Sequence, residues 1–281
     1  SPVCLDAADA PLLIGQSAPI SGTNQALGTE MKRGIEIAFK EQNGAGGIRG
    51  RKLVLEFKDD AYQPELAEQA ARALVDAKVA DVAPRCPTTT AVSKTAIERG
   101  PKALFAFLGN VGTPTMVRAA PVAIESGTLF FGAFTGASTI LRDARAAACQ
   151  RYIFNVRASY AQEALATMEY FAHKGVDSQT HVLSFDQDDS FGQAGYDGLV
   201  AAYKAVIGEF PANVDADTPI TRFRYTRNDD TSVPQQVTNV ARYLADILSG
   251  DTESHVVGIM MTDTYGAAAS FIEGLRKWQY A

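Results

Sequence analysis

Three short segments set hydroxyl side chains beside glycines immediately after apolar runs: Ser17-Ala-Pro-Ile-Ser21-Gly22, Gly109-Asn-Val-Gly112-Thr113-Pro114-Thr115 and Gly132-Ala133-Phe134-Thr135-Gly136. Glycine has no Cβ, so its backbone can come close to a bound molecule. Thr113 stands directly before Pro114, which makes it a candidate N-cap of a helix. A helix N-terminus offers free N–H groups and a partial positive charge, and both suit a carboxylate. Thr113 and Thr135 are therefore candidates for a carboxylate-binding shell, and Ser21 and the Gly112 backbone are further ligand-binding candidates. The second half of the chain has acidic and aromatic residues at comparable places, in Asp186-Gln-Asp-Asp-Ser-Phe191-Gly192 and Thr262-Asp263-Thr264-Tyr265-Gly266. Asp263 is a candidate partner for a buried ammonium. Phe134, Tyr160, Phe191 and Tyr265 are candidates to wall an apolar side chain. Each segment also has a plainer reading: a helix start at Thr113, a turn at Gly132–Gly136, a solvated acidic helix entrance at Asp186, Asp188 and Asp189, and a core position for Tyr265. What singles them out is their shared position after apolar runs.

Other chemistries find little support. No Gly-x-Ser-x-Gly elbow, Walker A lysine motif or dinucleotide Gly-x-Gly-x-x-Gly occurs in a strand-to-helix context, so the chain reads as a non-enzyme without a cofactor. His173, His181 and His255 have no metal-ligand spacing, and there is no Cys-x-x-Cys, which argues against a zinc site. Asp186-x-Asp-Asp hints at calcium, but the twelve-position loop with its closing glutamate is missing. Of the three cysteines, Cys86 and Cys149 could pair in an oxidising compartment, and Cys4 could carry a lipid, although Ser-Pro-Val before it is a poor lipobox. The 281 residues are 46% hydrophobic and 21% charged with a net charge of −6, a globular composition without the clustered Lys and Arg that nucleic acid demands. No apolar run approaches the roughly 20 residues that span a bilayer, and the opening Ser-Pro-Val-Cys-Leu-Asp has no h-region, so a leader is expected to have been removed.

Strand and helix patterns alternate through the chain. Strands are predicted at 12–16, 51–57, 104–108, 128–132, 180–185, 223–226 and 255–261. Helices are predicted at 29–42, 65–77, 114–126, 160–174, 192–207, 233–248 and 266–278. Such alternation specifies right-handed βαβ crossovers and parallel sheets. The predicted fold class is α/β, with two doubly wound parallel-sheet lobes joined by a hinge. Residues 10–135 form the first lobe, with an insertion at 80–102; residues 136–155 cross the hinge, and 156–281 form the second lobe. Ligands of such sheets bind beyond the carboxyl ends of the strands, where the hydroxyl, acidic and aromatic segments lie.

Longer stretches carry a more specific likeness. Ile14-Gly-Gln-Ser-Ala-Pro-Ile-Ser-Gly, Glu41-Gln-Asn-Gly-Ala-Gly-Gly-Ile-Arg-Gly and Leu55-Glu-Phe-Lys-Asp-Asp-Ala-Tyr-Gln-Pro, with Phe130-Phe-Gly-Ala-Phe-Thr-Gly-Ala and Phe154-Asn-Val-Arg-Ala-Ser-Tyr further on, occur in this order. The chain resembles the Leu/Ile/Val-binding protein family, the type I periplasmic receptors of branched-chain amino acid ABC importers. The resemblance implies a periplasmic or extracytoplasmic, monomeric solute-binding protein. It would close on a small carboxylate-bearing ligand, an amino acid in the first place, and deliver it to a membrane permease. A ligand-sensing ectodomain, or a carrier for an aromatic acid or amide, is the alternative. By position, the resemblance puts the ligand carboxylate on Thr113, a carbonyl on Phe134 and a hydroxyl on Thr135, though ungapped counting falls on Gly136. It puts aromatic contacts at Tyr160, at Phe191, and at Tyr265 or its neighbour Thr264. The family continues beyond the position of Ala281, crosses the hinge again to complete the first lobe, and takes its ammonium-binding acid from that later region. The return to the first lobe is thus not expected within these 281 residues, and Asp263 is a stand-in for that acid.

Overall fold

The computed structural model describes residues 10–76, 103–138, 152–178, 180–210, 219–249 and 256–279. Cys4, Cys86, Cys149, His255, the predicted insertion at 80–102 and most of the predicted crossing lie outside the described residues. Two compact units divide the chain, Ser1–Arg157 and Ala158–Ala281.

The first unit is built on a five-stranded sheet of order β2-β1-β3-β4-β5, parallel throughout. Its strands are β1 (Leu12–Ala18), β2 (Leu53–Asp59), β3 (Ala106–Leu108), β4 (Leu129–Phe131) and β5 (Ile153–Phe154). β1 lies between β2 and β3, so the winding reverses there, which is the doubly wound pattern the alternation predicts. The helices are α1 (Gln25–Gly44), α2 (Pro64–Asp76) and α3 (Thr113–Ser126). α2 starts on Pro64, whose fixed φ and missing N–H suit a first turn. α3 ends on Gly127 at φ 61°, ψ 30°, the left-handed stop that returns the chain to β4. Leu74 of α2, Met116 of α3, Phe107 of β3 and Phe130 of β4 meet in one buried cluster. α1 begins a turn earlier than its apolar spacing predicts. β5 has no counterpart among the predicted strands, because two residues leave no periodicity to read; it joins the sheet through Phe130↔Ile153 and Phe131↔Phe154.

The second unit holds a three-stranded parallel sheet of order β7-β6-β8, with β6 (Val182–Gln187), β7 (Thr221–Tyr225) and β8 (Gly258–Thr262). Around it lie α4 (Tyr160–His173), α5 (Ser190–Val206), α6 (Val233–Ile247) and α7 (Tyr265–Gln279). Every residue of β6 is buried, as expected for a central strand covered on both faces. Alternate side chains serve the two faces. Val182 joins Met168, Tyr196 and Leu199 of α4 and α5. Leu183 and Phe185 join Val240, Leu244 and Phe271 of α6 and α7. Phe185 is fully buried, stacked on Phe271 with ring centroids 3.9 Å apart and on Tyr225 at 5.5 Å. Ser159 accepts the Gln162 N–H while the Gln162 side chain takes the Ser159 N–H, so a reciprocal capping box fixes where α4 starts. Among the described residues, no helix is long and apolar enough to cross a membrane.

Candidate functional site

In the first unit the strand ends converge on a cluster of Ala18, Tyr62 and Val111, with Leu27, Met31, Phe57 and Phe134 packed against it. Beyond β3 and β4 the two chains stay together through a parallel bridge between Val111 and Phe134. The Phe134 N–H donates to the Asn110 carbonyl at 2.7 Å, and the Gly112 N–H to the Phe134 carbonyl at 3.2 Å. This ladder brings together two hydroxyls 22 residues apart in sequence: Thr113 Oγ1 lies 2.7 Å from Thr135 Oγ1, and the latter accepts the Ala137 N–H at 3.1 Å. Both threonines are buried.

One local expectation is corrected. Thr113 is not the N-cap but the first helical residue; the cap is Gly112, at φ 98°, ψ 148°, with no side-chain cap bond. The reason is steric. A Cβ at residue 112 would fall 2.4 Å from Tyr62 Cε2 and 2.9 Å from Thr115 Oγ1, so only glycine makes the turn there, and the helix starts one residue early. The threonine hydroxyl thereby sits in the first turn of α3, where the helix dipole favours an anion.

Ser21 is exposed and bonds to Asp59 rather than joining this pair. Burial works to raise the Asp59 pKa, but the Ser21 hydroxyl and the Ile20, Ala61 and Ser21 N–H groups together hold it below the ordinary carboxylate value. Asp60, which sequence reasoning missed, is fully buried; it accepts the Ser17 hydroxyl at 2.6 Å and the Tyr62 N–H at 3.0 Å. Ala61 and Tyr62 both stand at positive φ, 48° and 60°. The segment follows β2 directly, so the strand-end rule applied to β2 would have found it. Burial, and after it the Asp59 charge, pushes the Asp60 pKa up to about 6. The native state therefore binds more protons than the unfolded chain between about pH 4 and 6, and stability falls as pH rises through that window. Asp60→Asn is expected to flatten this slope, which is worth about 2–3 kcal/mol; urea unfolding at pH 4, 5, 6 and 7 measures it, and parallel profiles for the two proteins would refute it.

In the second unit Tyr160 opens α4 and Phe191 occupies the first turn of α5, with ring centroids 5.3 Å apart at 45°. Two predicted aromatic residues, 31 positions apart, are thus neighbours. The acidic segment running from the end of β6 into α5 is not the solvated entrance that its composition suggests. Asp186 is fully buried, bonded by Arg222 Nε at 2.9 Å and Nη2 at 2.7 Å and by the Ser184 hydroxyl at 2.7 Å. Asp189 caps α5 through the Phe191 N–H at 2.8 Å and pairs with Arg227 at 3.2 Å. Asp188 alone of the three is an exposed partner, of Arg224. Arg224 and Arg222 alternate with apolar residues along β7, so the cations that pair with this turn were legible as a pattern but not assignable to partners.

Beyond β8, Thr264 is buried, and its N–H donates to the Tyr225 hydroxyl at 3.0 Å. Tyr265, the first residue of α7, is 69% exposed, so the buried member of the predicted pair of alternatives is Thr264. Asp263 is half-buried as a residue, yet both its carboxyl oxygens are shielded from solvent and take no hydrogen bond. Burial, and then the charge of Asp186, pushes its pKa up to about 8. Among the described residues, no group of three or more His, Cys, Asp or Glu is placed to hold a metal ion.

The periplasmic binding protein family model matches residues 11–101 and 87–277. The chain belongs to the periplasmic binding protein family. The family is made up of solute-binding proteins. A Leu/Ile/Val-binding protein homologue from Brucella melitensis is 45% identical over 69 residues, which cover 25% of this chain and 19% of that one. A solved structure from Rhodopirellula baltica, described as a possible leucine/isoleucine/valine-binding protein, is 27% identical with a TM-score of 0.71; the match covers 96% of this chain and 60% of that one. A solute-binding protein from R. palustris in complex with benzoate superposes with a TM-score of 0.68 at 19% identity, over 96% of this chain and 60% of that one. The chain thus spans about 60% of the length of these solved periplasmic binding proteins, and its two wound sheets are those of the type I fold.

Proposed function

We propose that this periplasmic binding protein captures a small carboxylate-bearing solute, an amino acid in the first place, outside the cytoplasm, and delivers it to the membrane permease of an ABC importer. The observation that carries this reading is the Thr113–Thr135 hydroxyl pair, which joins the first turn of α3 to the segment after β4. A threonine hydroxyl and a helix N-terminus are groups suited to a carboxylate. Gly112 and Phe134 act as the frame that holds the pair, since their amide and carbonyl bond to each other. In the second unit the Tyr160–Phe191 ring pair supplies an apolar surface, and Asp263 an acidic group for an ammonium. The relatives named for leucine, isoleucine and valine support a branched aliphatic side chain. An aromatic acid is the second reading, favoured by the same ring pair, because aromatic rings pack well against one another.

A thermal-shift screen of the twenty amino acids and a set of aromatic acids separates the two readings, since a ligand that binds only the folded state raises the melting temperature. No shift with any of them would refute both. Thr113→Ala is expected to weaken the binding of a carboxylate ligand by about 1–3 kcal/mol, the range for a hydrogen bond to a charged group. Unchanged affinity in titration calorimetry would remove Thr113 from the site.

A further inference from the structure

A chain of hydrogen bonds joins the carboxyl ends of the three strands in the second unit. The Tyr225 hydroxyl, at the end of β7, accepts the Thr264 N–H from beyond β8 at 3.0 Å and donates to Gln187 Oε1 at 3.1 Å. Gln187, the last residue of β6, donates through Nε2 to Asp189 Oδ2 at 2.6 Å, and Asp189 Oδ1 accepts the Phe191 N–H at 2.8 Å. Tyr225, Gln187 and Thr264 are all buried. Each link has one sense. The Asp189 carboxylate, paired with Arg227, only accepts, so it takes the amide nitrogen of Gln187 and turns the amide oxygen toward Tyr225. Burial pushes the Tyr225 pKa up, so the hydroxyl keeps the proton that it donates. The tyrosine ring is stacked on Phe185, with centroids 5.5 Å apart, which fixes where the hydroxyl stands. At the other end of the chain, Phe191 is half-buried beside Tyr160. A Cβ at Gly192 would overlap the Gln187 carbonyl oxygen, so the first turn of α5 rests directly on the end of β6.

We propose that Tyr225 is a positioning residue for the solute: through Gln187 and Asp189, its hydroxyl sets where the Phe191 ring stands and thereby which solute side chains the Tyr160–Phe191 surface accepts. The assignment rests on the solute-binding reading above and deepens it. A buried polar chain holds its members firmly only when every link is made. Without the hydroxyl, the Thr264 N–H loses its acceptor and the Gln187 oxygen its donor, and the Gln187 amide can turn away from Asp189. The cap on the Phe191 backbone then loosens, although Phe191 stands three hydrogen bonds along the chain from Tyr225.

The test uses the 281-residue chain with Tyr225→Phe, which keeps the ring and removes only the hydroxyl, and with Gln187→Met, which breaks the same chain one link further on. Amide hydrogen exchange on the ligand-free proteins is the first measurement. In both variants the Phe191 amide should exchange about tenfold faster relative to the Phe185 amide inside β6. An unchanged ratio marks a hydroxyl that serves stability alone and overturns the assignment. Calorimetry with leucine and benzoate is the second measurement, run as a double-mutant cycle with Phe191→Ala. Tyr225→Phe should weaken the better-bound probe about five- to tenfold and alter the ratio of the two affinities, and it should do neither once Phe191 is alanine. Equal losses with and without the Phe191 ring overturn the assignment and leave solute binding intact. Binding of neither probe to the wild type overturns the specificity claim together with the solute reading, a failure that the exchange ratio distinguishes from a chain that does not hold Phe191.

Discussion

Arg222→Met is expected to destabilise the second unit by about 3–5 kcal/mol, the range for breaking a buried ion pair from one side. The Arg222 side chain is 12% exposed and that of Asp186 is 0%, and two guanidinium nitrogens bond to the carboxylate. The guanidinium also lies over the Tyr196 ring, 4.5 Å from its centroid, and the methionine would lose that contact as well. Most of the loss comes from the abandoned carboxylate rather than from the pair's own worth, because burial already raises the Asp186 pKa against the pull of Arg222. Two further results should follow. The deficit should shrink at low pH, where Asp186 becomes protonated, and the double variant Asp186→Leu/Arg222→Met should recover most of it. Urea unfolding at pH 4 and pH 7.5 measures both; a loss below about 1 kcal/mol at pH 7.5 would show that water reaches the pair.

Gly112→Val is expected to cost about 4 kcal/mol of stability and to abolish carboxylate-ligand binding. Two penalties combine. A β-branched side chain is forced to φ 98°, a region such residues avoid, at about 1–3 kcal/mol. Its Cβ would also fall 2.4 Å from the Tyr62 ring, which is itself buried at positive φ and has little room to retreat, adding about 1–3 kcal/mol of overpacking. Relief by moving α3 would pull Thr113 from Thr135, so binding should fall more steeply than stability. Urea unfolding gives the first quantity and calorimetry with the best ligand of the thermal-shift screen the second. A variant that unfolds like the wild type would show that the Gly112 turn can relax. Gly112→Ala, which keeps the strain but adds only the Cβ, should fall between the two.

Much of the candidate site could be read along the chain because its groups obey a positional rule. Thr113 and Thr135 in the first unit, and Phe191 and Asp263 in the second, each follow an apolar run, and within one parallel sheet the ends of those runs lie together. The hydroxyl pair emerges from that rule, whereas Tyr160, the ring beside Phe191, follows no predicted apolar run and was placed by the family resemblance. The rule gives position but not environment. It could not distinguish Tyr265, exposed at the head of α7, from its buried neighbour Thr264. Nor could it separate Asp186 and Asp189, bound to arginines some 36 to 38 residues away, from the exposed Asp188 between them. The short strand β5 left no pattern, since two residues complete neither a period nor a run.

Sequence by itself determined the alternation of strands and helices, the parallel winding that alternation compels, and the residue types available at the strand ends; these follow from local periodicity and backbone preference. Tertiary structure decided which polar groups share a neighbourhood and which are cut off from water. It set Gly112 rather than Thr113 as the helix cap, because the Tyr62 ring comes from another strand end. It also left the Asp263 oxygens dry and unbonded while giving Asp186 a guanidinium. Those outcomes depend on packing between segments far apart in the chain, and dielectric shielding and hydrogen-bond partnership are properties of that packing.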